Sequence, residues 1–279
     1  MTTILDILEK GAQFLNSKGI EDARLNMELL VAHELGCRRM DLYLRFDQLV
    51  PEEKLPALRE HLKKRSQRIP LQHLTKVVHF YSHDFISDHR ALIPRPESEE
   101  LVSLVLKETF PKPARILDLG CGSGVLGLSL AKALGTDFEQ LVLADLSTEA
   151  LSLAKENAEA LQVPAEIVQC NLFLGLEGRF DLIIANLPYI GESEREDLSK
   201  EVRHDPEIAL FSGSDGLDLL RLFASQCSPF LNPGGLVALE VGHSQGETVC
   251  DLLRGGGLTE ISLRRDLTDI PRFPLARKG

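Results

Sequence analysis

No apolar run in this 279-residue sequence approaches the length of a membrane-spanning helix, which argues against a helical membrane protein. The five cysteines (Cys37, Cys121, Cys170, Cys227 and Cys250) form no Cys-x-x-Cys pair and are odd in number. They read as reduced thiols, forming neither a disulfide framework nor a zinc site. His73, His79, His83 and His89 lie near one another in sequence, but their spacing matches no zinc site and no metal is expected. Positive charge is also short. The formal net charge of −11 leaves no basic excess for holding nucleic acid phosphates. The one basic stretch, "HLKKRSQR" over 61–68, reads as a solvated helix face. Low-complexity segments and internal repeats are absent. The opening "MTTILDILEKGAQF" carries acids inside its apolar stretch and shows no signal pattern, so a cytoplasmic protein is expected. What is present, 43% hydrophobic and 26% charged residues, suits a globular chain with one large domain, or a large and a small one.

The chain changes rhythm part of the way along. Up to about Arg68, apolar residues recur at helical spacing, as in Ile4, Leu5, Leu8 and then Leu25, Leu29, Leu30. Gly19 and Gly36 punctuate this stretch, and Pro51 suits a helix start, so a small bundle of short helices is expected. "VVHFYSHDFIS" (77–87) alternates like a hairpin. "LIPRPESEE" (92–100) carries two prolines, which predict irregular structure. Strands are expected over 115–120, 141–146, 165–170, 180–186 and 235–242. Helices are expected near 123–134, 148–161, 216–229 and 245–254. Apolar strands alternating with helices mark a parallel sheet covered on both faces, a doubly wound α/β domain.

"LDLGCGSGVLG" (117–127) supplies a strand, a tight glycine turn and a helix start. Glycine permits positive φ and close approach of a ligand to the main chain. A glycine loop alone is a weak signal. Asp145, ending the next strand in "LVLADLS", sharpens it, because an acid there can take both hydroxyls of a ribose. Gly122, Gly124 and Gly127 also fit a dinucleotide-binding spacing. "DLGCGSG", however, closely resembles the first motif of the class I methyltransferases, which bind S-adenosylmethionine. That resemblance places Asp118 near the methionine end of the cofactor and Asp145 at its ribose.

"IIANLPY" (183–189) ends a buried strand in an amide, a proline and an aromatic ring. As a turn, Asn caps and Pro closes. Beside a cofactor loop, the same residues suit methyl transfer to a planar nitrogen, whose lone pair is delocalised and poorly nucleophilic. The Asn186 side-chain carbonyl and the Leu187 main-chain carbonyl can accept the two N–H bonds of such a nitrogen. That orients it and favours the charge developing on it. Pro188 restricts Leu187 and so helps aim its carbonyl, and Tyr189 offers a flat face for an amide or a base. The glycine loop favours the catalytic reading.

The tetrapeptide alone does not choose between an adenine and a glutamine substrate. "PLQHLTK" (70–76), "LIPRPESEE" (92–100) and "VRHDPEIALFSGSDGLDLLR" (202–221), taken in order with the two motifs, resemble the bacterial release-factor glutamine methyltransferases of the HemK/PrmC type. The resemblance implies a helical release-factor-recognition domain over 1–75, a β-hairpin linker over 76–93 and an S-adenosylmethionine-dependent methyltransferase domain over 94–279. It implies methylation of the glutamine side-chain nitrogen in the Gly-Gly-Gln motif of class 1 peptide-chain release factors by a monomer, with S-adenosylhomocysteine as product. Gly120, Cys121, Gly122, Ser123 and Gly124 would line the cofactor. Asp145 would hold its ribose, Asn171 and Leu172 would flank its adenine, and Asn186 to Tyr189 would hold the glutamine. An adenine-N6 methyltransferase acting on RNA or DNA is the alternative; a further rival is a binding module that keeps the fold without turnover. Two positions depart from the family pattern. Leu187 stands where a proline is usual, and Cys170-Asn171 stands where an acid is common. Glu240, ending a strand in "ALEVG", is expected either to reach the cofactor pocket or to cap the next turn. Arg95 reads as a packing residue, and His204-Asp205 as part of a loop closing over the substrate.

Overall fold

The computed structural model describes residues 2–279 and divides the chain into two units: residues up to Val77 together with Ser199–His204, and Val78–Leu198 together with Asp205–Gly279. No helix among the described residues is long and apolar enough to cross a membrane.

The first unit is helical, as its apolar spacing predicts: α1 (Ile4–Ser17), α2 (Ala23–Leu35), α3 (Leu55–Ser66) and α4 (Leu71–Thr75). Thr3 and Asp6 form a capping box at the start of α1, each satisfying a main-chain N–H of the other. Ile4, Leu8 and Leu15 of α1 meet Met27, Leu30 and Val31 of α2 in one core with Leu42 and Leu58. Leu25, expected on the buried face of α2, is instead exposed, while Ala23 four residues before Met27 is buried. The basic run of α3 is not all solvated either. Arg65 is buried, donates to Asn26 Oδ1 at 2.7 Å and reaches Glu201 Oε1 at 3.3 Å, where Arg68 joins it at 3.2 Å. A guanidinium taken out of water needs such partners, and the periodicity of one segment does not reveal them.

The expected hairpin follows, β1 (Val77–Phe80) and β2 (His83–Ile86), turned by Tyr81 and Ser82 at positive φ; all of it but Val77 belongs to the second unit. Contrary to the reading of "LIPRPESEE", a helix follows, α5 (Pro96–Val105). Pro96 occupies its first turn, where no intrahelical N–H is needed and φ is already helical. The alternation then runs β3 (Ala114–Leu119), α6 (Val125–Leu134), β4 (Phe138–Asp145), α7 (Thr148–Leu161), β5 (Glu166–Gln169) and β6 (Phe180–Ala185). It continues with α8 (Asp218–Gln226), β7 (Leu231–Leu239), α9 (Gly246–Gly255), β8 (Thr259–Arg265) and β9 (Pro271–Arg277).

The seven strands from β3 to β9 stand in the order β5-β4-β3-β6-β7-β9-β8. Five are parallel, and β9 enters antiparallel between β7 and β8. The closing pair was not expected, because β8 is half-exposed and mixed in polarity and lacks the apolar run that marks the inner strands. Both faces are covered. Ile116, Leu143 and Leu182 pack under α5, α6 and α7, while Leu117, Ile183 and Val237 pack under α8 and α9. From β3 the chain moves outward to β4 on one side and later resumes at β6 on the other, so the order reverses beside β3. Ligands of open α/β sheets bind outside the carboxyl ends of the strands at such a point.

Candidate active site

Register brings three sequence signals to one sheet edge. Asp118 of β3 lies level with Leu143 of β4 and Ile184 of β6. The glycine loop leaving β3 therefore has Asp145, at the end of β4, on one side and Asn186, just past β6, on the other.

The loop is tied down chiefly through main-chain groups. Gly120 and Cys121 N–H both donate to the Ala144 carbonyl, at 2.8 and 3.0 Å. Gly120, Gly122 and Gly124 all have positive φ, a region costly for side chains with a Cβ. At Gly120 a Cβ would also stand 2.8 Å from Leu187 Cδ2, so the loop lies against the tetrapeptide. The Asp145 carboxylate accepts from Gly122 N–H through one oxygen and from Ser147 N–H through the other, each at 2.9 Å. Each oxygen keeps acceptor capacity for a ligand hydroxyl. Burial raises its pKa above the usual carboxylate range, opposed by those N–H donors. Asn157, buried on α7, donates to the Ser123 carbonyl at 3.0 Å and exchanges hydrogen bonds with the Ile86 main chain. It joins the hairpin to the glycine loop, a role that its helical position did not signal.

These elements surround a cleft of about 1060 Å³, open solvent at its mouth included. Gly120, Cys121, Gly122 and Ser123 line it, as do Asp145, Asn171, Leu172, Asn186, Leu187 and Pro188. Asp118, Gly124 and Tyr189 stand outside the lining. Asp118 is fully buried; one oxygen accepts from Gly127 N–H at 2.8 Å and the other has no partner among the described residues. Burial pushes its carboxyl up to about 7. Gly124 supports the start of α6. The cleft suits a nucleoside with a polar tail: a carboxylate with spare acceptor sites faces it, the apolar Leu146, Leu172 and Ile208 flank it, and glycine main chain forms its floor.

The tetrapeptide is held by the segment that follows it. Ile190 N–H donates to the Leu210 carbonyl and Ser212 N–H to the Ile190 carbonyl, both at 3.0 Å. Gln245 Nε2 donates to the Tyr189 carbonyl at 2.8 Å. Gly216, at φ +76°, allows this: a Cβ there would stand 2.0 Å from that carbonyl oxygen. The ring of Tyr189 packs on the core under α8 and α9, and burial raises its hydroxyl to about 12. Leu187 is buried against Gly120, so apolar packing holds this position of the tetrapeptide. Asp205 is buried and binds Arg95 at 2.6 Å and Ile93 N–H at 3.2 Å, which places it under the rim of the cleft beside Arg95 and Pro206. Glu240 does not itself line the cleft, but its carboxylate accepts at 2.6 Å from the Oγ of Ser98, which does. Ser98 was not singled out by the sequence, although it lies within the "LIPRPESEE" segment.

Two family models match the chain, the PrmC N-terminal domain over residues 6–75 and the methyltransferase small domain over residues 99–213. The release factor glutamine methyltransferase of Deinococcus radiodurans is 38% identical over 98% of this chain and 98% of its own length. That of Geobacter sulfurreducens is 37% identical over 99% of this chain and 97% of its own. Among solved structures, a methyltransferase from Pyrococcus furiosus covers 70% of this chain and 89% of its own at a TM-score of 0.53 and 18% identity, a likeness of fold. A mostly parallel sheet with a glycine loop at its switch point is the fold of the class I methyltransferases, and at this identity over nearly the whole length the chain belongs to the release factor glutamine methyltransferase family.

Proposed function

We propose that this enzyme transfers a methyl group from S-adenosylmethionine to the side-chain amide nitrogen of the glutamine in the Gly-Gly-Gln motif of class 1 peptide-chain release factors, leaving S-adenosylhomocysteine. The single observation that carries the reading is that Asn186, Leu187 and Pro188 line the same cleft as the glycine loop. When bound, the cofactor supplies an electrophilic methyl carbon on a sulfonium, open to in-line displacement. Asp145 would hold its ribose, the main chain of Gly120 to Ser123 its flank, and Asn171 and Leu172 its adenine edge and face. Asn186 Oδ1 and the Leu187 carbonyl accept the two N–H bonds of the glutamine amide, which orients the nitrogen. Positive charge grows there as the nitrogen–carbon bond forms and the carbon–sulfur bond breaks, so both acceptors bind the transition state more strongly than the ground state; loss of one N–H proton to water then leaves the neutral methylamide. Tyr189 closes the far side of the tetrapeptide. The helical unit over residues 1–75 would recognise the release factor, with 76–93 as linker, and the enzyme would act as a cytoplasmic monomer.

The test is incubation of the purified enzyme with labelled S-adenosylmethionine and either intact release factor, release factor with that glutamine replaced by alanine, or RNA. Label on the intact factor only, mapped by mass spectrometry to the glutamine, is the expected result. Label on RNA adenine would overturn the reading.

A further inference from the structure

The side chain of Asn186 has a carbonyl and an amino end, and only the carbonyl can accept from a substrate N–H. Which end faces the cleft is decided behind the residue. Asn186 Nδ2 donates to Ser98 Oγ at 3.4 Å, and Ser98 Oγ donates to Glu240 Oε2 at 2.6 Å. The Asn186 side chain also favours the ionised form of the Glu240 carboxyl. Both acceptors thus stand on the amino side of Asn186. Glu240 is 1% exposed and Ser98 3% exposed, so water does not compete for these bonds. The two come from distant parts of the chain: Ser98 from the first turn of α5, Glu240 from the residue after β7, where its N–H donates to the Ala185 carbonyl at 3.1 Å.

Resting on the reaction proposed above, we infer that Glu240 is a positioning residue that, with Ser98, fixes the Asn186 amide with its oxygen toward the cleft and polarises it. A hydroxyl that accepts from the amide N–H while donating to a carboxylate is the stronger acceptor for it, and polarising the amide from its nitrogen side leaves the carbonyl oxygen a stronger acceptor. That is the group on which the developing charge of the transition state bears. Burying a carboxylate is costly, and Asn and Ser cannot neutralise it. Its retention at the back of the tetrapeptide therefore has a reason beyond packing. The other groups around it are Arg272 of β9, which favours its ionised form, and Glu97 of α5, which opposes it, while the Tyr189 hydroxyl also feels its charge. Burial pushes the Glu240 carboxyl up to about 7, so its ionisation falls within the range of ordinary assays.

Two readouts test this. The first is the Asn186 side-chain NH₂ signal in a nitrogen–proton correlation spectrum of the full chain, identified by its loss in Asn186→Ala. It is expected to move with pH through one ionisation in the unaltered protein and to stay fixed in Glu240→Gln. This needs no substrate and holds whatever the enzyme methylates. The second is the pH profile of kcat on release factor. The unaltered enzyme should gain rate as Glu240 ionises. Glu240→Gln, which keeps an acceptor without the charge, should lose that limb and several-fold in kcat. Glu240→Ala should lose on the order of a hundredfold, the effect of leaving one catalytic hydrogen-bond partner unfixed. Ser98→Ala should fall between them, and S-adenosylmethionine affinity should hold in all three. An Asn186 signal that does not titrate, or one that titrates unchanged in Glu240→Gln, overturns the inference. So does a kcat profile that Glu240→Gln leaves intact. Failure of the unaltered enzyme to label release factor would count against the proposed reaction alone, since the spectroscopic arm stands without it.

Discussion

Replacing Asp145 separates what this carboxylate does for the fold from what it does for the ligand. In the folded chain it is half-buried, its pKa is raised by desolvation, and its oxygens accept main-chain N–H bonds from Gly122 and Ser147. A raised carboxylate pKa means that the folded state holds the ionised form at a cost relative to the unfolded chain. Asp145→Asn keeps one acceptor and removes the charge, so thermal unfolding near pH 8 should occur within a few degrees of the unaltered protein or above it. The ligand loses more. If each ribose hydroxyl donates to the carboxylate, each bond is worth about 1.5 to 3 kcal/mol as a hydrogen bond to a charged group. Losing one weakens binding by at least roughly tenfold, and losing both at the lower figure by roughly 150-fold. Asp145→Asn should sit near the first value and Asp145→Ala at or beyond the second, because alanine also releases the Gly122 N–H that shapes the loop. Titration calorimetry with S-adenosylmethionine reads both, with NAD as a ligand that should not bind. Unchanged affinity in a folded Asp145→Ala protein would refute the ribose role, and tight binding of NAD would refute the cofactor assignment.

Gly216→Ala forces a Cβ into the space of the Tyr189 carbonyl, so kcat should fall by roughly tenfold or more while cofactor affinity holds; equal kcat would mean that this carbonyl has no bearing on the tetrapeptide. The pH dependence of stability has a defined sign. Glu240 binds its proton more tightly in the folded chain, with a pKa of about 7 against an ordinary 4.5. Its contribution therefore declines as pH rises from the lower value to the upper, by at most about 3 kcal/mol. Glu240→Gln should remove that decline, giving a protein more stable at pH 8 yet slower in turnover, as denaturant midpoints at pH 5 and pH 8 would reveal. Arg65→Ala removes a buried guanidinium that joins Asn26 and Glu201, and should cost about 2 to 4 kcal/mol in urea unfolding; a loss under about 0.5 kcal/mol would show that water substitutes for it.

The parallel core was legible because its strands are continuous apolar runs, and α7 falls on the expected residues, Thr148 to Leu161. Asp145 and Asn186 were legible for a related reason: each is the first polar group after such a run, and register carries both to the same sheet edge. What escaped the sequence lies in partnerships between distant segments. Ser98 is an ordinary helix residue until Glu240 faces it at 2.6 Å, across 142 positions of chain. Asn157 looks like a helix polar position and is in fact buried between the hairpin and the Ser123 carbonyl. Pro96 was misread because proline breaks a helix only in its interior; in the first turn it favours one. Strand β8 lacked the apolar signature because it closes the sheet at an exposed edge.

The proposed reaction turns on the tetrapeptide at the end of β6 acting through the Asn186 carbonyl. Single-turnover transfer of labelled methyl from S-adenosylmethionine to intact release factor, compared between the unaltered enzyme and Asn186→Ala at matched cofactor saturation, tests it most directly. The expected result is a loss of about 10² to 10³ in rate, as for removal of one preorganised transition-state partner, with cofactor affinity preserved. Near-normal methylation of the glutamine by Asn186→Ala would contradict it and reduce the motif to a turn.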